Sequence, residues 1–323
     1  MAPARESAKP EELPPLELTK LRELRVRRAD GDDRPGYISS ASAVVRRAGH
    51  TYVIGDDELA LAVFELSSER PGEMRRVFGG ELPDDADERA REKPDVEALS
   101  VLPPFAEAPY GAILGLGSGS NEHRDRGFFW QLDARGALDG DPEVIDLKPL
   151  YERLRSELES LNVEGAAVLG ERFMVFHRGN AGGGENAIAE LELGQVMNSL
   201  TGDRSIEVSE LLRVAVYDLG ELDGTRLCFS DATPLADGLV AFTASAESDE
   251  DGSIKGSVVG TIDGEGTVER LRTIDRKWKV EGLHASVDSG VVDLVFVCDQ
   301  DADEPSPLLS ATMPLDAAVE RRR

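Results

Sequence analysis

Five stretches of the chain follow one plan: a small or acidic residue opens a short apolar strand, a turn follows, and a second apolar strand ends in polar or charged residues. They are Ile38–Leu66, Pro94–Asp133, Asn162–Leu193, Cys228–Asp263 and Lys279–Met313. A repeat of this size cannot bury its apolar faces alone and must stack against its neighbours. The tightest signature is VEA at Val96 and VEG at Val163 and Val280, with SDA at Ser230 read as a variant. Glu97, Glu164 and Asp231 then fall 67 positions apart, and Glu281 follows after 50.

Segments such as HTYVIG, GAILGL, RFMVFH, GLVAFTA and VVDLVFVC alternate or run apolar between Gly, Asp and Pro, the pattern of strands. Helical signal is scarce. Leu150, Leu154, Leu158 and Leu161 share one face and predict a connector helix over Lys148–Leu161, whereas Asp84–Lys93 has no apolar face and reads as loop. Repeated antiparallel units with few helices predict an all-β chain folded as a β-propeller, whose radial packing leaves only short edges. Five blades are expected. A sixth would need a cryptic blade within Val196–Leu219. The strand-like stretch Leu16–Arg28 is placed to pair with the last unit and close the ring. Residues 1–15 read as a polar, proline-rich, disordered arm, 16–315 as one propeller domain and 316–323 as a tail.

The EGL opening and the acidic run in VEGLHA…FVCDQDADEPSPLL resemble the phytase-like, or esterase-like, β-propeller superfamily. So do SASAVV…YVIGDDE, EAL…LGSGS, EGAA…FHRGN and SDAT…TASAE, which look most like an uncharacterised bacterial family within it. The resemblance covers about Ile38 to Leu315 and implies the propeller fold. In the phytases themselves, calcium ions and acidic residues at one end of the channel hold a phosphate ester, and DQDADEPS loosely resembles that acidic segment.

In a propeller the first strand of each blade lines the channel and the second returns antiparallel. Residues that open the first strand and close the second therefore meet at one mouth. Ser42, Glu97, Glu164, Asp231 and Glu281 are expected to converge there. Asp56, Asp57, Ser118, Ser120, Arg178, Asn180, Glu247, Asp299 and Asp301 should surround them. Asp56, Asp57, Asp299 and Asp301 are the candidate metal ligands, with calcium the ion their oxygens suit. Two carboxylates about 7 Å apart repel by about 2 kcal/mol at an effective dielectric near 20. Such a ring needs protons, arginines or a cation. Arg178, Arg124 and Arg126 are the internal counterions, and His123, Glu122 and His177 are non-repeated candidates beside them. A fastening role competes: a carboxylate in every blade can accept backbone N–H groups from its neighbour and fix the register.

A formal charge of -27 disfavours nucleic acid and anionic membranes and suits a small-molecule ligand, a cationic ligand or a protein partner. Cys228 and Cys298 are too few for a disulfide framework. With no apolar leader or span, the expectation is a soluble cytoplasmic monomer. The acidic loops do not fit the EF-hand pattern, GLGSGS lacks the lysine of a Walker loop, and no serine sits in a nucleophile elbow. The functional expectation is a binding module that uses the acidic channel mouth. The alternative is a calcium-dependent phosphoesterase or esterase-like hydrolase.

Overall fold

The computed structural model describes residues 3–29, 32, 34–83, 85–179, 184–248, 252–300 and 304–315. Strands dominate, and they form five separate sheets arranged as a five-bladed β-propeller. The inner strands are Ala41–Arg47 in blade I, Val96–Leu102 in blade II, Val163–Leu169 in blade III, Thr225–Leu235 in blade IV and Lys279–Asp288 in blade V. Each packs beside the next and the fifth beside the first, which closes the ring. The alternative sixth blade is absent from these sheets. Its candidate segment forms the helix Leu193–Thr201 and the strand Arg213–Asp218, the fourth strand of blade III.

The sequence alternation has a direct structural outcome. Each sheet buries both faces, so apolar residues from neighbouring blades meet between them. Phe176 and Tyr217 of blade III pack with Phe229 and Phe242 of blade IV. Tyr52 of blade I packs with Phe128 and Trp130 of blade II. Leu150, Leu154, Leu158 and Leu161 sit between blades II and III, as their spacing predicts, although the helix itself stops at Arg155.

Ring closure also follows expectation, because Thr19–Glu23 pairs antiparallel with Pro307–Pro314 as the outer strand of blade V. Among the described residues, 3–15 of the expected disordered arm lie along the blades instead. Ala4–Ser7 pairs in parallel with Arg213–Asp218 of blade III. Glu11 N donates to Leu271 O and Leu16 N to Thr273 O of blade IV, and Val26–Arg27 pairs with Gly72–Arg76 of blade I. The segment is thus a strap across four outer edges. Those edges carry unpaired backbone groups, which supply the driving force that composition alone does not reveal.

A second correction concerns Asp84–Lys93. Ala86–Glu92 is a helix, started by Asp85, whose carboxylate accepts from Asp87 N and Glu88 N. Acidic residues fill its first turn and basic ones its last, so capping and dipole terms replace the missing apolar face. The helix delivers Lys93 to the channel mouth. Among the described residues no helix is long and apolar enough to cross a membrane.

Candidate functional site at the channel mouth

Every inner strand carries one extra residue, near its start in four blades and midway along Thr225–Leu235 in blade IV. The register shifts between Ala41 and Ala43, Val96 and Ala98, Val163 and Gly165, Phe229 and Asp231, and Val280 and Gly282. The bulged residues are therefore Ser42, Glu97, Glu164, Ser230 and Glu281. A bulge re-aims its side chain out of the alternation. Ser42, Glu97, Glu164 and Glu281 accordingly line one polar cavity of about 100 Å³, with Ser40, Asp56, Arg178, Lys279 and Asp299. Glycine follows the bulge in VEG because the neighbouring inner strand passes so close. A Cβ at Gly165 would stand 2.7 Å from Ala232 N, and one at Gly282 would stand 2.8 Å from Ser42 O.

This register corrects the place given to Asp231. Ser230 holds the bulge in blade IV, and Asp231 lies one step further on, where other blades have Ala or Gly. Asp231 is 1% exposed and does not line the cavity. Its Oδ1 accepts from Ala232 N at 2.7 Å and its Oδ2 from Leu283 N of blade V at 2.7 Å. It is the fastener that the competing reading expected of the glutamates. Burial raises its pKa well above the usual carboxylate range, while the two N–H donors oppose that shift. Ser230 and Ser245 fasten the same interface by donating to Val280 O.

The mouth is an ion-pair mosaic. Lys93 Nζ bridges Asp56 and Asp95, the latter at 2.8 Å. Arg124 Nη1 reaches Asp95 at 2.7 Å, and Ser118 Oγ donates to Asp95 at 2.5 Å. Lys279 Nζ lies 3.0 Å from both Glu281 and Asp299. Arg178 lies 2.8 Å from Glu247 and 3.6 Å from Glu164, which also accepts from Asn162 Nδ2 at 2.6 Å. Glu97 differs from all of these. Among the described residues it has no hydrogen-bond or ion-pair partner. Oδ1 of Asp56 is buried and likewise unpartnered. One oxygen each of Asp56, Asp95 and Glu97 lie within 4.8 Å of one another.

The proton affinities follow. Burial, then the charges of Asp95, Glu164 and Asp56, holds Glu97 well above the usual carboxylate range. Burial pushes Glu164 up to about 8, against the pull of Arg178. Burial also raises Asp56, although Lys93 counters it. His177 is buried with Nδ1 against the backbone of Asn162, and burial brings it down to about 4.

The remaining expected residues divide. Arg124, Arg178, Glu247, Asp56 and Asp299 belong to the mosaic. His123 lies exposed on the turn Glu122–Arg124. Arg126 donates to Glu92 O at 3.2 Å and covers the Phe78 ring instead of entering the mouth. Asp57 turns to Arg89 at 3.9 Å and stays out of the carboxylate group formed by Asp56, Asp95 and Glu97, as does Asp299. Asn180 and Asp301 lie outside the described residues. Of the four aspartates expected as metal ligands, Asp56 belongs to the carboxylate group found among the described residues, which Asp95 and Glu97 complete. Sequence reasoning missed Asp95, Lys93, Asn162 and Lys279. One signal was available: two positions before each bulge stand Ser40, Asp95, Asn162, Cys228 and Lys279, a polar column beside the glutamates.

Residues 37–313 match the model of a family of unknown function (DUF6929). The chain belongs to that family. No curated protein matches its sequence. An α-L-arabinofuranosidase from Podospora anserina, solved with cellotriose, is 12% identical with a TM-score of 0.51, covering 94% of this chain and 98% of its own. The catalytic domain of a Coprinopsis cinerea GH62 α-L-arabinofuranosidase is 9% identical with a TM-score of 0.52, covering 93% and 98%. At these identities the likeness shows the fold alone.

Proposed function

We propose that the chain is a binding module whose channel mouth holds a cation, or the cationic head of a small ligand. The supporting observation is Glu97: a carboxyl on a cavity wall, without a partner among the described residues, beside the unpartnered Oδ1 of Asp56. Desolvated carboxylates without a counterion are costly, so a ligand cation stabilises them. The volume of about 100 Å³ equals the share of roughly three water molecules. That suits a partly hydrated ion or an ammonium group. Two oxygens bound to one calcium at about 2.4 Å stand at most about 5 Å apart, a limit that the Asp56, Asp95 and Glu97 group respects. Lys93 already serves Asp56 and Asp95, so Glu97 and the free Asp56 oxygen are what an incoming cation gains. The reading takes the protein as a soluble, cytoplasmic monomer, kin to phytase-like propellers, with no nucleic-acid partner. Calorimetric titration with calcium, magnesium and methylammonium tests it. Saturable binding of at least one, lost in Glu97→Gln, is expected; no binding of any of the three by the wild-type protein would overturn it.

One observation favours a second reading, a metal-assisted ester or phosphoester hydrolase. Glu164 retains its proton near neutrality beside Arg178, the arrangement of a general acid next to an anion-stabilising guanidinium. Turnover of p-nitrophenyl phosphate or acetate with calcium, abolished by Glu164→Gln at unchanged melting temperature, would support it. Absence of turnover with both substrates would sink it.

A further inference from the structure

The channel has a second end. There all five inner strands line another cavity, about 360 Å³ and chemically unlike the mouth. Val45, Leu99, Val101, Leu102 and Val168 make its walls apolar. Five polar side chains interrupt them, those of Arg46, Arg47, Ser100, Thr233 and His284. Ser100 is 1% exposed, and its Oγ has no hydrogen-bond partner among the described residues. Such a hydroxyl keeps its donor for a group that enters the cavity. Arg46 is half-buried, and its only described side-chain bond is from Nε to Thr51 Oγ1 at 3.3 Å. Among the described residues no carboxylate pairs with it; Asp293 acts only through its field. Arg22, Arg126, Arg226 and Arg272 are also half-buried without a carboxylate, but each donates to backbone carbonyls, whereas Arg46 has only the Thr51 hydroxyl among the described residues. His284 stands on the same wall, held neutral at pH 7 because burial and the Arg46 charge lower its pKa to about 4.

We propose that this far-end pocket binds a small amphiphilic carboxylate, with its head on Arg46 and Ser100 and its apolar body against the valine and leucine walls. Arg46 offers charge-assisted N–H donors and Ser100 Oγ a further donor, which together match one carboxylate. The neutral imidazole adds a donor without adding charge. The volume lies at the lower end of the usual small-molecule range, about 300–1,000 Å³, so a medium-chain or aromatic monocarboxylate fits and a long lipid does not. None of these residues belongs to the mouth, so the two sites can fail separately.

The test uses the full chain and calorimetric titration with octanoate and, as its uncharged counterpart, octanol. Saturable octanoate binding is expected, at least tenfold tighter than octanol. Arg46→Gln should lose at least tenfold in octanoate affinity and leave octanol unchanged. Ser100→Ala should lose less, and Arg46→Lys and Glu97→Gln should bind octanoate much as the wild type does. Absence of octanoate binding, or equal affinity for octanol, would overturn the proposal on the wild-type protein alone, whatever the variants do to folding. Full octanoate affinity in a folded Arg46→Gln protein would do the same.

Discussion

Glu97 and Asp231 are both acidic residues at or beside the bulge of an inner strand, and their roles are opposite. Glu97 occupies a bulge, faces the cavity and has no partner among the described residues. Asp231 sits one register step past a bulge, is sealed from solvent and holds the backbone of two blades. One step of register turns a ligand-facing acid into a structural one, because the bulge decides which side chain leaves the alternation.

The largest effect should come from the fastener. Asp231→Ala orphans the N–H groups of Ala232 and Leu283 and leaves a small void, so urea unfolding should show a loss of about 3 kcal/mol or more. An unchanged midpoint would put Asp231 with the glutamates after all. Next comes pH. Glu164 binds its proton in the folded state up to about pH 8, whereas the unfolded chain releases it near its ordinary value. Its contribution is therefore full below about pH 4.5 and lost as pH rises through about 8, by a few kcal/mol. Glu164→Gln should flatten that alkaline limb of a melting-temperature profile. His177 and His284 act with the opposite sign. Both are lowered to about 4, so their contribution is full above about pH 6.5 and lost as pH falls toward 4.

Smaller effects sharpen the contrast. Glu97→Gln replaces a carboxyl whose ionisation burial and the neighbouring carboxylates already oppose, so stability in metal-free buffer should be at or slightly above that of the wild type, read from the same urea curves. His123→Ala, on an exposed turn, should stay within about 0.5 kcal/mol and leave cation binding intact. A larger change in either quantity would draw that turn into the site.

The blade count, ring closure and convergence of Glu97, Glu164 and Glu281 were legible because each rests on a repeated local pattern. Asp231 was misplaced because SDA matches VEG by eye, and a bulge leaves no mark in spacing alone. The strap on either side of Thr19–Glu23, whose pairing was expected, was hidden because its partners are backbone edges, which have no sequence signature. Lys93 was missed because its helix is held by a cap and by charge placement, and Asp95 because it stands before the conspicuous apolar residue. Asp95 lies in the column flanking the repeat, where only a blade-by-blade comparison exposes it.

The most direct measurement is a set of paired thermal melts of wild type, Glu97→Gln and Asp231→Asn, each with a chelator and with excess of the cation that the wild type binds. The predicted result is that Glu97→Gln melts at or above wild type in chelator and gains nothing from the cation. Asp231→Asn should melt lower under both conditions yet keep the full cation-dependent rise. If Glu97→Gln instead melts low and keeps the rise while Asp231→Asn loses it, the assignment of one acid to the ligand and the other to the frame is reversed.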